Sequence, residues 1–273
     1  MQPARRLYER ADSASRPLWH LDGGRTCFIG PLTYNAPHQH GAPVFLAGIY
    51  GDFLLRVAGH EWRSCRTAVI PAGVVHELDV GGDPIAVLYI EPTVDGQHAL
   101  AALIADGSSE EGALIGSAGE ILPFREMWED AASPSWAAEG LDSLLTFASA
   151  HARRRIDARI ACSIELIGAS SEQRWNIEMV AARAGLSSYR FQHLFSQEVG
   201  VPYRRYRAWM RMRDAIAAVA TGESLTGAAH DAGFFDQAHF THDFRRTFGA
   251  PPSWSLSGIR MSGEQRGERP ESR

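Results

Sequence analysis

Asn176-Ile177-Glu178-Met179-Val180-Ala181-Ala182-Arg183-Ala184-Gly185-Leu186-Ser187 is the stretch on which the reading of the chain turns. It predicts an Ala-rich helix that stops at Gly185, then Ser187 as the N-cap of a second helix starting at Ser188. That second helix sets Phe191, Leu194 and Phe195 on one face and Tyr189, Gln192, His193 and Ser196 on the other. The layout recurs in Leu225-Thr226-Gly227-Ala228-Ala229-His230-Asp231-Ala232-Gly233-Phe234. Here a small-residue helix halts at Gly233, and Asp236 caps a helix that buries Phe240 and Phe244 while exposing Gln237, Thr241, His242 and Arg245. Gln192 and Gln237 stand 45 residues apart, at matching places in two copies of one module. A single helix–Gly–helix corner is a weak signal; two of them with polar outer faces form a tandem helix-turn-helix.

Between the copies, Tyr203 to Ala220 reads as one helix with Tyr206, Trp209, Met210 and Ile216 as its apolar stripe. Its length of about 27 Å, at ~1.5 Å per residue, suits a spacer holding two helices in major grooves that recur every ~34 Å. A helical bundle without a ligand is the alternative, and it leaves the two polar faces unexplained.

The motif elements are dense: Ala-Gly-Leu-Ser at 184–187, Phe191 with Leu194-Phe195, Gly200-Val201, and Arg211-Met212 with Ala215. They continue through Gly233-Phe234, Asp236-Gln237-Ala238-His239-Phe240, Phe244-Arg245-Arg246, Phe248-Gly249 and Pro252. On these residues, 157–254 resembles the DNA-binding domain of the AraC/XylS family of bacterial transcription regulators, departing from it at Gly227, Phe235 and His242. The resemblance implies double-stranded DNA as partner. It puts Tyr189, Arg190, Gln192 and His193 of one recognition helix and Gln237, Ala238, Thr241 and His242 of the other at base edges, where Gln pairs with adenine and an Ala methyl meets thymine. Arg205, Arg245 and Arg246 are implied phosphate contacts. The family also pairs this domain with a cupin-like effector domain, forms homodimers and has RNA polymerase as a further partner. For the segment 141–155, a dimer helix and packing within the chain stand as equal readings.

Composition agrees with a divided molecule. The chain has 273 residues, 45% hydrophobic and 22% charged, enough to bury a large core. All 27 basic residues are Arg. Residues 1–150 carry nine Arg against 19 acids, a balance of −10, while 151–273 carry 18 Arg against 13 acids, a balance of +5. An acidic half joined to a basic half predicts different partners, the basic half facing a polyanion. Three scattered cysteines exclude a disulfide framework, and no apolar run approaches the ~20 residues of a bilayer span. Residues 1–10 are polar and lack a signal core, so a cytoplasmic location is expected.

In the front half, short runs at 44–50, 53–57, 67–70, 74–80 and 85–90 are rich in branched and aromatic residues and broken by Gly and Pro, which predicts an antiparallel sandwich or barrel. Helices are expected at 98–105 and 141–155, with loops at 106–119 and 131–140. Within the strands, His38-Gln39-His40 puts two imidazoles on one face, and Pro71-Ala72-Gly73 leads to a third at His76. The pattern resembles the metal motif of the cupin barrel (HxH, a Glu, PxG, His), but the Glu is missing after His40. A divalent transition metal on His38, His40 and His76 is one reading, and a hydrogen-bonded set lining an effector pocket is the other.

The expected fold is α+β in two domains: a cupin-like barrel at 20–95, a helical linker or dimerisation region at 96–156, a tandem helix-turn-helix at 157–256 and a disordered tail at 257–273. The expected function is a DNA-binding transcription regulator, not an enzyme, with a small-molecule or metal effector. A metal-dependent cupin enzyme with an accessory helical half is the alternative.

Overall fold

The computed structural model describes residues 17–257, apart from 23, 93–95, 130–138, 141, 144, 147–155 and 169–174, and also residues 260–261. The front half folds into β1 (Leu18–Asp22), β2 (Arg25–Pro31), β3 (Tyr34–His38), β4 (Val44–Gly48), β5 (Phe53–Val57), β6 (Arg63–Cys65), β7 (Thr67–Ile70), β8 (His76–Asp79) and β9 (Pro84–Ile90). Helix α1 (Gly96–Ala101), strands β10 (Ser108–Glu110) and β11 (Ala113–Gly116) and helix α2 (Leu122–Glu129) follow. The strands form one sheet in the order β10-β11-β7-β4-β9-β2-β1-β12, where β12 is Arg260–Met261, and a second in the order β3-β8-β5-β6. Two sheets enclose the core, in place of one closed hydrogen-bonded barrel.

The larger sheet is buried on both faces, which explains why its strands read as unbroken apolar runs. Phe45 and Ala47 of β4 and Ala86 and Leu88 of β9 pack with Ala99, Leu100, Phe124 and Trp128 of α1 and α2. Their neighbours Val44, Leu46, Val87 and Tyr89 face inward, toward Phe53, Leu55, Val57 and Leu78 of the smaller sheet.

Three expectations change. Residues 106–119, expected as a loop, carry the β10–β11 hairpin: Leu114 pairs with Val69 and Ile115 with Ala68, so the open edge of β7 recruits a segment whose Gly and Ser content alone suggests a turn. Arg260 and Met261, in the tail expected to be disordered, pair in parallel with Leu18 and Trp19 of β1. The helix expected at 98–105 is α1, displaced toward its N-terminus. The helix expected at 141–155 and the loop at 131–140 lie largely outside the described residues.

The back half is helical: α3 (Ala158–Gly168), α4 (Ile177–Arg183), α5 (Ser188–Val199), α6 (Tyr203–Ala220), α7 (Leu225–Asp231), α8 (Gln237–Phe248) and α9 (Pro252–Ser255). Among the described residues no helix is long and apolar enough to cross a membrane. The two halves share one core. Tyr89 of β9 lies 4.6 Å from the Trp209 ring of α6 and 6.0 Å from Phe248 of α8. Glu91 accepts hydrogen bonds from Tyr206 Oη at 2.6 Å and Arg213 Nη1 at 2.5 Å, while Arg213 Nε donates to Thr26 at 2.8 Å. Burial outweighs the Arg213 charge and holds the Glu91 carboxyl above its usual range.

Candidate nucleic-acid interface and histidine pocket

Both helix-turn-helix units are built from local signals. Asn176 caps α4 by accepting from Met179 N at 2.8 Å, and Ser187 caps α5 by accepting from Arg190 N at 3.3 Å. Ser224 and Asp236 repeat the device on α7 and α8, with bonds of 3.1 and 2.7 Å. The apolar stripes Phe191/Phe195 and Phe240/Phe244/Phe248 are buried, as expected. The opposite faces are open: Tyr189 is 81% exposed, and Arg190, Gln192, His193, Gln237, Ala238, His242 and Arg245 are exposed, with Thr241 half-buried. Gln237 Oε1 accepts from Thr226 Oγ1 of α7 at 3.0 Å, so its amide is oriented before any partner arrives. Phe235, 88% exposed, stands just before the Asp236 cap. Arg205 and Arg246 line a cleft between α6 and α8.

The three histidines converge. His38 of β3 pairs with His76 of β8, after a register shift between Asn35 and His38, and His40 follows two residues later. Ring centroids lie 4.3 Å apart for His38–His76 and 4.8 Å apart for both pairs involving His40. All three are buried, with exposures of 5%, 3% and 1% for His38, His40 and His76. His38 Nδ1 donates to Ala36 O at 2.7 Å and His76 Nδ1 to Val74 O at 3.0 Å. A carbonyl can only accept, so each Nδ1 carries the proton and each Nε2 presents a lone pair. His76 Nε2 and His40 Nδ1 are buried without a hydrogen-bond partner. One donor atom from each ring lies within 4.8 Å of the other two. Backbone-anchored, neutral imidazoles with orphaned nitrogens facing one another are the donor set a divalent transition metal requires. Burial lowers all three histidines from their ordinary range, His76 to about 4, and their mutual repulsion lowers His38 and His40 further.

The segments bearing these histidines touch both recognition helices. Turn Pro71-Ala72-Gly73, ahead of His76, lies against Gly200, the C-cap of α5; a Cβ on Gly73 would meet Gly200 O at 2.9 Å. Segment 35–38 lies against Gly249, the C-cap of α8. Asn35 Nδ2 donates to Phe248 O at 2.7 Å and Ala36 N to Gly249 O at 3.0 Å. Gly249 has φ of +72°, and a Cβ there would stand 2.4 Å from Ala36 O and 2.6 Å from His38 Nδ1, so only glycine satisfies both the helix end and the contact. A narrow cavity of about 40 Å³ opens between the halves, lined by His38 and His40 together with Trp19, Phe28, Phe244 and Phe248.

Sequence reasoning missed the junction itself: Asn35, Tyr89, Glu91 and Arg213. A charged residue inside an apolar helical stripe, as Arg213 is, was the available signal.

Residues 180–254 match the family described as "Helix-turn-helix domain". The virulence regulon transcriptional activator VirF of Yersinia enterocolitica is 32% identical over 82 residues, 30% of each chain. The arabinose operon regulatory protein of Salmonella typhimurium is 28% identical over 105 residues, 38% of this chain and 37% of that one. The chain thus spans about a third of the length of the curated relatives it matches. Over most of its length it is similar in fold to the crystal structure of unsaturated fatty acid bound ToxT from Vibrio cholerae. That match has a TM-score of 0.56 and 13% identity and covers 88% of this chain and 98% of ToxT. A sheet-rich part with the ToxT fold is therefore joined here to a C-terminal helix-turn-helix domain.

Proposed function

We propose that this protein is a sequence-specific, DNA-binding transcription regulator whose His38–His40–His76 pocket receives the effector. Faces Tyr189/Arg190/Gln192/His193 and Gln237/Ala238/Thr241/His242 read bases, and Arg245 meets a phosphate. The observation that carries this reading is the contact of the two histidine-bearing segments with the C-caps of both recognition helices. An event at the histidines is thereby felt at each reading head. The names of the curated relatives, a transcriptional activator and an operon regulatory protein, favour regulation over the enzyme alternative.

A metal ion is the effector that fits this arrangement. Three buried imidazoles, each with one ring nitrogen within 4.8 Å of the other two, supply the ligands an ion needs. Two nitrogens sharing an ion at ~2.0–2.1 Å stand at most about 4 Å apart, against the present span of up to 4.8 Å. Capture of an ion draws segments 35–40 and 71–76 together and shifts the seats of α5 and α8. The apolar lining supports a second reading, an organic effector that parts the two halves; the ToxT crystal structure has an unsaturated fatty acid bound.

Gel-shift titration of the full chain on DNA upstream of its neighbouring operon, at two salt concentrations and with chelator or zinc, tests the proposal. Nanomolar specific binding that weakens steeply with salt and changes with zinc is expected. Equal, weak binding to random DNA overturns the regulator reading. An unchanged response to zinc after His38→Ala with His76→Ala overturns the pocket assignment. A homodimer on the operator and contact with RNA polymerase belong to the same reading, and sedimentation of the protein–DNA complex checks the former.

A further inference from the structure

Arg205 and Arg246 carry an observation that DNA reading does not absorb. They line a cleft of about 370 Å³ walled by α6, α8 and the turn that follows β3. Arg204, Arg211 and His239 line it with them, so four guanidinium groups face a single carboxylate, Asp243. That carboxylate is occupied: its oxygens lie 3.4 Å from His239 Nε2 and 3.4 Å from His242 Nδ1. Arg211 is partly engaged, donating to Gly233 O at 3.4 Å with its guanidinium 5.2 Å from the Phe234 ring. Among the described residues no carboxylate pairs with Arg204, Arg205 or Arg246.

Such crowding is unfavourable unless an anion relieves it. Burial and the charges of Arg246 and Arg204 pull the half-buried Arg205 guanidinium below its ordinary value. Gly41 lets the turn after β3 close tightly on α6, since a Cβ there would meet Trp209 Cβ at 2.6 Å. On α8, His239, Asp243 and Arg246 recur every three to four residues, a stripe separate from Ala238, Thr241, His242 and Arg245.

We propose that this cleft binds a small, multiply charged oxyanion, phosphate- or polycarboxylate-bearing, held by the forks of Arg204, Arg205 and Arg246 between α6, α8 and the 39–41 turn. It is a second ligand site, chemically opposite to the apolar cavity at the histidines, and it ties the second recognition helix to the connecting helix. The site does not depend on the regulator reading, because its occupancy is measured without DNA.

The test titrates inorganic phosphate and citrate into the full chain at constant ionic strength, with chloride as control. Tryptophan fluorescence, to which Trp209 contributes, and the thermal midpoint are followed. A saturable change is expected with both probes, weakened at least tenfold in Arg205→Gln/Arg246→Gln and severalfold in the single variant Arg246→Gln. Both variants retain the wild-type melting transition in chloride, because these arginines hold no buried partner. No saturable change in the wild type, or unaltered titration of the double variant, overturns the site. On random duplex DNA the double variant keeps the wild-type salt slope. A slope reduced by about two assigns these arginines to backbone phosphates and overturns the proposal as well.

Discussion

The two helix-turn-helix units share their caps, their buried phenylalanines and their left-handed glycine at the end of the second helix, yet they are held to the sheets differently. Unit one meets the sheets through the contact of Gly200 with the Ala72–Gly73 turn. Unit two is bonded through Asn35 to Phe248 and Ala36 to Gly249, and its Phe248 ring lies 6.0 Å from His40 and from Tyr89. A motif duplicated in sequence thus presents one lightly touched reading head and one riveted to the pocket. Equal local signals do not give equal regulatory roles.

Acid is the broadest way to break the comparison, because the histidines support both contacts. Each is buried neutral with its protonation lowered, so the unfolded chain binds more protons than the folded one once the pH drops below about 6.5. Stability is therefore level above that pH and falls as pH moves toward 4, by about 1 kcal/mol per pH unit for His76 alone. Urea denaturation with a chelator present, at pH 7.5, 6 and 5, measures the loss, and His76→Gln makes it shallower while His38 and His40 keep the remainder.

The next largest effect separates the contacts. Gly249→Ala costs about 3 kcal/mol, summing ~1–2 for a left-handed Cβ and ~1–3 for the collision with Ala36 O and His38 Nδ1. Gly200→Ala, with φ of +86° but its nearest neighbour at 3.3 Å, costs about 1 kcal/mol. Equal shifts in denaturation midpoint for the two variants contradict the asymmetry.

Binding then tests the reading heads. Gln192→Ala and Gln237→Ala each weaken cognate DNA by about 1–3 kcal/mol and random DNA far less. Thr226→Val adds a smaller loss only while Gln237 is present, which a double-mutant cycle on the operator reads out. Smallest, Ser187→Ala and Asp236→Ala each cost about 1 kcal/mol of stability, and here the two units behave alike.

The parts of the fold legible in advance were those whose causes lie within a few residues. Ser187 and Asp236 cap because the amide each accepts from is three positions away, and Phe191/Phe195 and Phe240/Phe244 share a face through helical spacing alone. His38 and His40 were readable as neighbours for the same reason. The β10–β11 hairpin was not, since Leu114 extends only where the edge of β7 offers it a ladder. Neither was the direction of Arg205 and Arg246, because helical spacing places a residue on a face but not against a neighbouring helix.

From the order of its residues alone, this chain is committed to a duplicated helix-turn-helix with two polar faces, and to strands that carry His38, His40 and His76. Tertiary packing alone decided that the three imidazoles meet, that the segments bearing them reach the ends of both recognition helices, that Glu91 finds Arg213 across the junction, and that four arginines line one cleft. The physical reason is range. Caps and stripes are settled by hydrogen bonds and rotations within a turn or two, whereas those meetings join residues tens to more than a hundred positions apart, and only strand register and the docking of one half on the other bring them together.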